Sequence, residues 1–86
     1  MPYRIELTRQ AARALESMPA NVRALLIGKI RLLAQGPHAL GNNVSKLTGR
    51  NEFRLRVQDW RVIYRLFDDR MVLLIIKIGV RGDVYR

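Results

Sequence analysis

The sequence predicts an α+β domain: a small antiparallel β-sheet with an N-terminal helical hairpin packed on one face, in the order β-α-α-β-β-β. Three observations carry that prediction. Residues 8–35 repeat apolar side chains at three- and four-residue spacing, the period of a helix buried along one stripe. Residues 52–67 alternate instead, the period of a half-buried strand. A length of 86 residues suffices for one core and not for two, so residues 1–86 are expected to form a single domain.

The elements follow in order. Tyr3, Ile5 and Leu7 share one side of a short opening strand, with Arg4 and Glu6 on the other. Thr8 offers an N-cap, and Ala11, Ala14, Leu15 and Met18 carry a first helix to about Ser17. Pro19 cannot continue that helix but suits the start of the next, in which Val22, Leu25, Leu26, Ile30 and Leu33 form the buried stripe. Gly36-Pro37 stops it. Residues 37–49, punctuated by Gly41, Asn42, Asn43 and Gly49, read as a loop with Val44 and Leu47 as anchors. Strands are then expected over 52–57, 60–67 and 71–78, separated by turns at Gln58-Asp59 and Asp68-Asp69-Arg70, with the last and most apolar strand inside the sheet.

Composition narrows the function. The chain carries 16 Lys plus Arg against 7 Asp plus Glu, a formal charge of +9. Thirteen of those cations are Arg, whose planar fork suits phosphates and whose face stacks on bases. Such a balance fits a nucleic-acid footprint, a face for an acidic protein, or a solvated surface. No cysteine is present, which excludes a disulfide scaffold and a thiolate zinc site. The lone histidine, His38, cannot make a His-rich metal centre, and no cofactor is expected. The apolar run from Met71 to Ile76 is far short of the ~18 residues a membrane span needs. Met1-Pro2-Tyr3-Arg4 leads into mixed polar sequence rather than a leader, so no membrane role and a cytoplasmic location are expected.

Strand alternation locates the charge. If Gln58-Asp59 is a two-residue hairpin loop, Val57 faces Trp60, Leu55 faces Val62 and Phe53 faces Tyr64 on the side meeting the helices. On the opposite side Arg56 faces Arg61, Arg54 faces Ile63 and Glu52 faces Arg65. Like charges directly opposed in a sheet cost stability, so Arg56 against Arg61 points to an anion placed between them. A two-residue second turn would add Phe67, Val72, Leu74 and Ile76 to the same face, making it basic and apolar together. That mixture suits an RNA groove with stacking or a partner segment lying across it. The tail presents Arg81 and Tyr85 after two glycines. Tyr85 there is either an anchor against the core or a stacking and proton-donating group.

These residues also carry a resemblance. Arg54-Leu55-Arg56, the segment Asp59-Trp60-Arg61-Val62-Ile63-Tyr64-Arg65, and the ending Ile78-Gly79-Val80-Arg81-Gly82-Asp83-Val84-Tyr85-Arg86 resemble the RelE branch of the RelE/ParE toxin superfamily. The resemblance spans nearly the whole chain, including the Pro-broken helical hairpin and a Leu-Thr-Gly element before the meander. It implies a RelE/microbial RNase-like fold and a type II toxin that cuts mRNA in the ribosomal A site by 2′-OH attack, without a metal. The implied partners are the ribosome and mRNA, a cognate acidic antitoxin, and operator DNA reached only through that antitoxin.

The implied catalytic residues are Arg61 for the phosphate, Arg81 as a second essential arginine, Tyr85 for stacking or proton transfer, and Arg54 where members often carry Lys. Arg56, Arg65, Lys46 and Lys77 are the further RNA-binding candidates. Two positions depart from the family pattern: Glu52 replaces a second Lys, and Val80 replaces the Lys or His common before the second Arg. An arginine is a poor general base, since a guanidinium releases its proton only above pH ~12. Glu52 is therefore either a base or an ion-pair partner of Arg54 and Arg65. His38 is far along the chain from the other candidates and has no expected role. The alternative readings are a ParE-like poison of DNA gyrase and a non-enzymatic module that binds RNA or antitoxin.

Overall fold

The computed structural model describes residues 2–36 and 43–80. In chain order the elements are β1 (Arg4–Leu7), α1 (Arg9–Ser17), α2 (Ala20–Gln35), β2 (Val44–Lys46), β3 (Phe53–Val57), β4 (Trp60–Phe67) and β5 (Val72–Val80). The five strands make one sheet in the order β1-β5-β4-β3-β2, with the helical hairpin on one face. The α+β class is as expected, with two corrections to the sheet. Residues 44–46, expected in a loop, pair antiparallel with β3 as an edge strand. The sheet is also mixed rather than antiparallel, because β1 runs parallel to β5. The hairpin carries the chain from one sheet edge to the other, and the β2–β5 meander returns it beside β1, a pairing no short turn could make.

α1 begins where Thr8 Oγ1 accepts the Ala11 N–H at 3.2 Å. The same hydroxyl donates to the Ile76 carbonyl, tying the helix start to β5. Thr8→Ala removes both bonds and is expected to cost about 1–2 kcal/mol. For a domain of this size that is roughly a 10 °C fall in Tm, read from the far-UV circular dichroism melt. At the Met18–Pro19 break, Arg23 Nη2 reaches back to the Met18 carbonyl at 3.3 Å. α2 ends with the Gly36 N–H donating to the Leu32 carbonyl at 3.2 Å.

The core lies between the hairpin and the sheet. Ala11, Leu15 and Met18 of α1 and Leu26, Ile30, Leu33 and Ala34 of α2 meet Leu55, Val57, Val62, Tyr64, Leu73, Ile75 and Ile78. Leu7, which alternation sets on the side of Tyr3 and Ile5, is 42% exposed at the end of the edge strand β1. Tyr64 is 1% exposed and stacks on Phe53 with ring centroids 5.5 Å apart. Burial pushes its phenol up to about 12.

The β3–β4 register is the expected one, pair for pair from Phe53↔Tyr64 to Val57↔Trp60. The β4–β5 turn is longer than expected, running over residues 68–71 between the paired Phe67 and Val72. A register shift follows between Ile63 and Tyr64: Tyr64 faces Ile75, but Ile63 faces Lys77. The expectation for Ile76 is thereby corrected. Phe67, Val72 and Leu74 do share the face away from the helices, but Ile76 is the extra residue of a bulge. The bulge returns Ile78 to the core and turns Lys77 to the open face.

Candidate nucleic-acid interface

The face turned away from the helices is built in four rows across the sheet. Outermost, at the β3–β4 turn, Arg56 lies opposite Arg61, and Arg61 opposite Gly79, which brings no side chain. The next row runs Ser45, Arg54, Ile63, Lys77. Beyond the bulge come Arg65, Leu74 and Glu6, then Phe67, Val72 and Arg4. Four cations therefore stand in the first two rows with no acidic residue among them. The last two rows are mixed, with Arg4 paired to Glu6 at 2.9 Å. Basic charge is concentrated at one end of one face.

Arg61 is held on two main-chain carbonyls. Its Nη1 donates to the Gln58 carbonyl at 3.1 Å and to the Trp60 carbonyl at 3.0 Å, which fixes the guanidinium beside the hairpin turn. Gln58 holds a left-handed φ of 55, a conformation that costs a non-glycine residue about 1–2 kcal/mol. Arg54 Nη2 donates to Ser45 Oγ at 3.1 Å across the β2–β3 pair. Arg56 is exposed, and no hydrogen bond or ion pair holds it among the described residues. Two guanidinium groups opposed across a strand pair, one fixed and one open, have the donor geometry and charge to hold a phosphate between them.

The structure separates other residues from this group. Arg65 stands four residues along β4 from Arg61, about 13 Å by strand rise. Its guanidinium lies 4.7 Å from the centre of the Phe67 ring, and that of Arg70 lies 4.5 Å from the same ring. Lys46 faces Phe53 and so shares the helix side of the sheet, not the face of Arg54. Glu52, for which the sequence leaves open a base or an ion-pair partner of Arg54 and Arg65, forms an ion pair with neither. Among the described residues the ion pairs are Arg4–Glu6 and Arg70–Asp69. Arg54 instead donates to Ser45, and Arg65 lies over the Phe67 ring. His38, Arg81 and Tyr85 lie outside the described residues.

Several contributors escape a reading of sequence alone. Lys77 was a candidate, but its place opposite Ile63 depends on the bulge, for which strand alternation gives no signal. Ser45 lies in the segment whose Gly and Asn residues read as a loop, and its place beside Arg54 follows from the β2–β3 pairing. The Phe67 stack with Arg65 and Arg70 spans a turn whose length the sequence left short.

Comparison with known proteins agrees with this architecture. The family described as "ParE toxin of type II toxin-antitoxin system, parDE" matches residues 5–85. Among curated proteins, Toxin RelG of Mycobacterium tuberculosis is 28% identical over 88 residues, covering 100% of this chain and 99% of that protein. The mRNA interferase toxin RelE of Escherichia coli is 23% identical, covering 99% and 92%. Among solved structures, a chain of the archaeal RelE–RelB complex from Pyrococcus horikoshii superposes with a TM-score of 0.82 at 30% identity, covering 96% of this chain and 99% of that one. The RelBE2 toxin–antitoxin complex of Mycobacterium tuberculosis gives a TM-score of 0.81 at 23% identity, covering 96% and 95%. No helix among the described residues is long and apolar enough to cross a membrane.

Proposed function

Because the chain belongs to the RelE branch of the RelE/ParE superfamily of type II toxins, we propose that it is a ribosome-dependent endoribonuclease cutting mRNA in the A site. The observation that carries this reading is the Arg56–Arg61 pair, with Arg61 held by two main-chain carbonyls beside a row bearing Arg54 and Lys77. In the proposed reaction a ribose 2′-oxygen attacks the adjacent phosphorus and the bond to the 5′-oxygen breaks. The products are a 2′,3′-cyclic phosphate and a 5′-hydroxyl. The 2′-proton passes to a base, and Tyr85 supplies the proton that leaves with the 5′-oxygen. Arg61 and Arg81 hold the non-bridging oxygens as charge accumulates on them, which is where fixed donors lower a barrier most. Arg54, Arg56 and Lys77 hold the flanking backbone. Glu52, which precedes β3, is assigned no step.

Two outcomes test the assignment of residues. Glu52→Gln is expected to change the rate of A-site cleavage by less than about threefold, where loss of a general base costs about 10²-fold or more. Arg56→Ala is expected to weaken binding of a short single-stranded RNA. It should also lower the slope of log affinity against log salt by about 1, as befits one lost phosphate contact. Filter binding over a salt series reads both.

The proposed protein partner is an acidic antitoxin, a reading supported by the toxin–antitoxin complexes among the structural relatives. It would cover the basic face in the cytoplasm, and the complex would repress its own operon through antitoxin contacts to operator DNA. A second reading follows from the ParE name of the matching family: poisoning of DNA gyrase. Accumulation of gyrase-trapped DNA breaks, with intact mRNA, would favour it.

A further inference from the structure

Gln10 belongs to α1, outside the strands that carry the basic face, yet it is bonded to the strand that delivers Lys77. β1 accompanies β5 only as far as the Leu7↔Ile75 pair. Beyond it the outer edge of β5 would present unpaired main-chain groups, next to the point where the register with β4 slips. The start of α1 takes over that edge. The Thr8 N–H donates to the Ile75 carbonyl at 3.0 Å, and the Thr8 hydroxyl donates to the Ile76 carbonyl. Gln10 then bonds Ile78 twice: Nε2 donates to its carbonyl at 3.1 Å, and Oε1 accepts from its N–H at 3.0 Å. One side-chain amide thus does for Ile78 what a residue of a neighbouring strand would do.

The consequence falls on the basic face. In unbroken alternation with Leu74, residues 76 and 78 would face away from the helices and Lys77 would point into the core. The slipped register instead buries Ile78 to 1% exposure and sets Lys77 opposite Ile63 and Gly79 opposite Arg61. We propose that Gln10 is a positioning residue. Its amide locks β5 in the slipped register, and so holds Lys77 on the face of Arg61 and keeps the row beside Arg61 clear at Gly79. The role in cleavage rests on the ribonuclease reading above; the lock itself does not.

The test compares full-length Gln10→Leu, which loses both bonds, and Gln10→Glu, which keeps an acceptor for the Ile78 N–H and loses the donor. Gln35→Leu, an equal change at the exposed end of α2, is the control. Amide hydrogen exchange read by NMR is expected to be about tenfold faster at Ile78 in Gln10→Leu, as for loss of about one hydrogen bond, and unchanged at Val62. Gln10→Glu should fall between. In A-site cleavage, kcat is expected to fall about tenfold in Gln10→Leu, with KM for ribosomes within twofold of wild type and partial recovery in Gln10→Glu. Gln35→Leu should match wild type in both assays. Unchanged Ile78 exchange in Gln10→Leu would overturn the lock. Faster exchange with wild-type kcat would overturn the positioning role. Absence of cleavage by the wild-type protein would instead refute the ribonuclease reading and the role within it, while Ile78 exchange still decides the lock.

Discussion

Arg61→Ala is expected to lower the rate of A-site mRNA cleavage by about 10²- to 10³-fold, the cost of removing one fixed donor from a developing oxyanion. The fold should survive the change. Arg61 is half-buried, and its described bonds go to the carbonyls of Gln58 and Trp60 at the hairpin turn, so its removal empties no core cavity. Antitoxin binding should survive as well, since the neighbouring cations Arg54, Arg56 and Lys77 remain on the face. Arg61→Lys keeps the charge but not the planar fork that satisfies two carbonyls and still offers donors outward. It is expected to recover only part of the rate. Single-turnover cleavage on programmed ribosomes, alongside antitoxin pull-down and thermal melts of each variant, separates these effects.

The largest effect on stability is expected at Tyr64. Its side chain is enclosed between the sheet and the hairpin and stacked on Phe53, so Tyr64→Ala should cost about 3–5 kcal/mol. Small domains have only about 5–15 kcal/mol in total, so this variant should be partly unfolded at 37 °C by circular dichroism. The phenol makes a second prediction. Its folded value is about 12 against an ordinary 10, so the folded state favours the neutral form. The stabilisation is complete below pH 10 and is lost as pH rises from 10 through 12. Urea midpoints should therefore decline over that alkaline range, and Tyr64→Phe should flatten the decline.

How much of this was legible in the sequence depends on how local each feature is. The β3–β4 hairpin could be read pair by pair because a two-residue turn fixes the register, and alternation then places every side chain. That was enough to set Arg56 against Arg61 and to put Tyr64 in the core. The hairpin of helices was equally plain, from Thr8 as cap and Pro19 as break. What could not be read depends on contacts distant in sequence. The parallel pairing of β1 joins residues 4–7 to residues 72–75, and nothing in Tyr3–Leu7 announces which strand it will meet. β2 is three residues long, too short for a period, and exists because β3 offers it an edge. The bulge at Ile76 is held by Thr8 and Gln10 from 68 residues away in sequence. An alternation rule applied through it misassigns every later residue of the strand. The ion-pair reading of Glu52 failed for a related reason: proximity in strand register does not choose between Ser45, Phe67 and a carboxylate as partners for arginine.

The central claim is that the basic end of the open face, organised around Arg61, cuts mRNA in the ribosome. Primer extension on a translated message after induction of the toxin tests it most directly, with wild type and Arg61→Ala side by side. The expected result is a set of new 5′ ends at A-site codons in the wild type that vanish when translation is blocked and are absent from Arg61→Ala. Intact mRNA in growth-arrested wild-type cells, or the same cuts undiminished in Arg61→Ala, would contradict it.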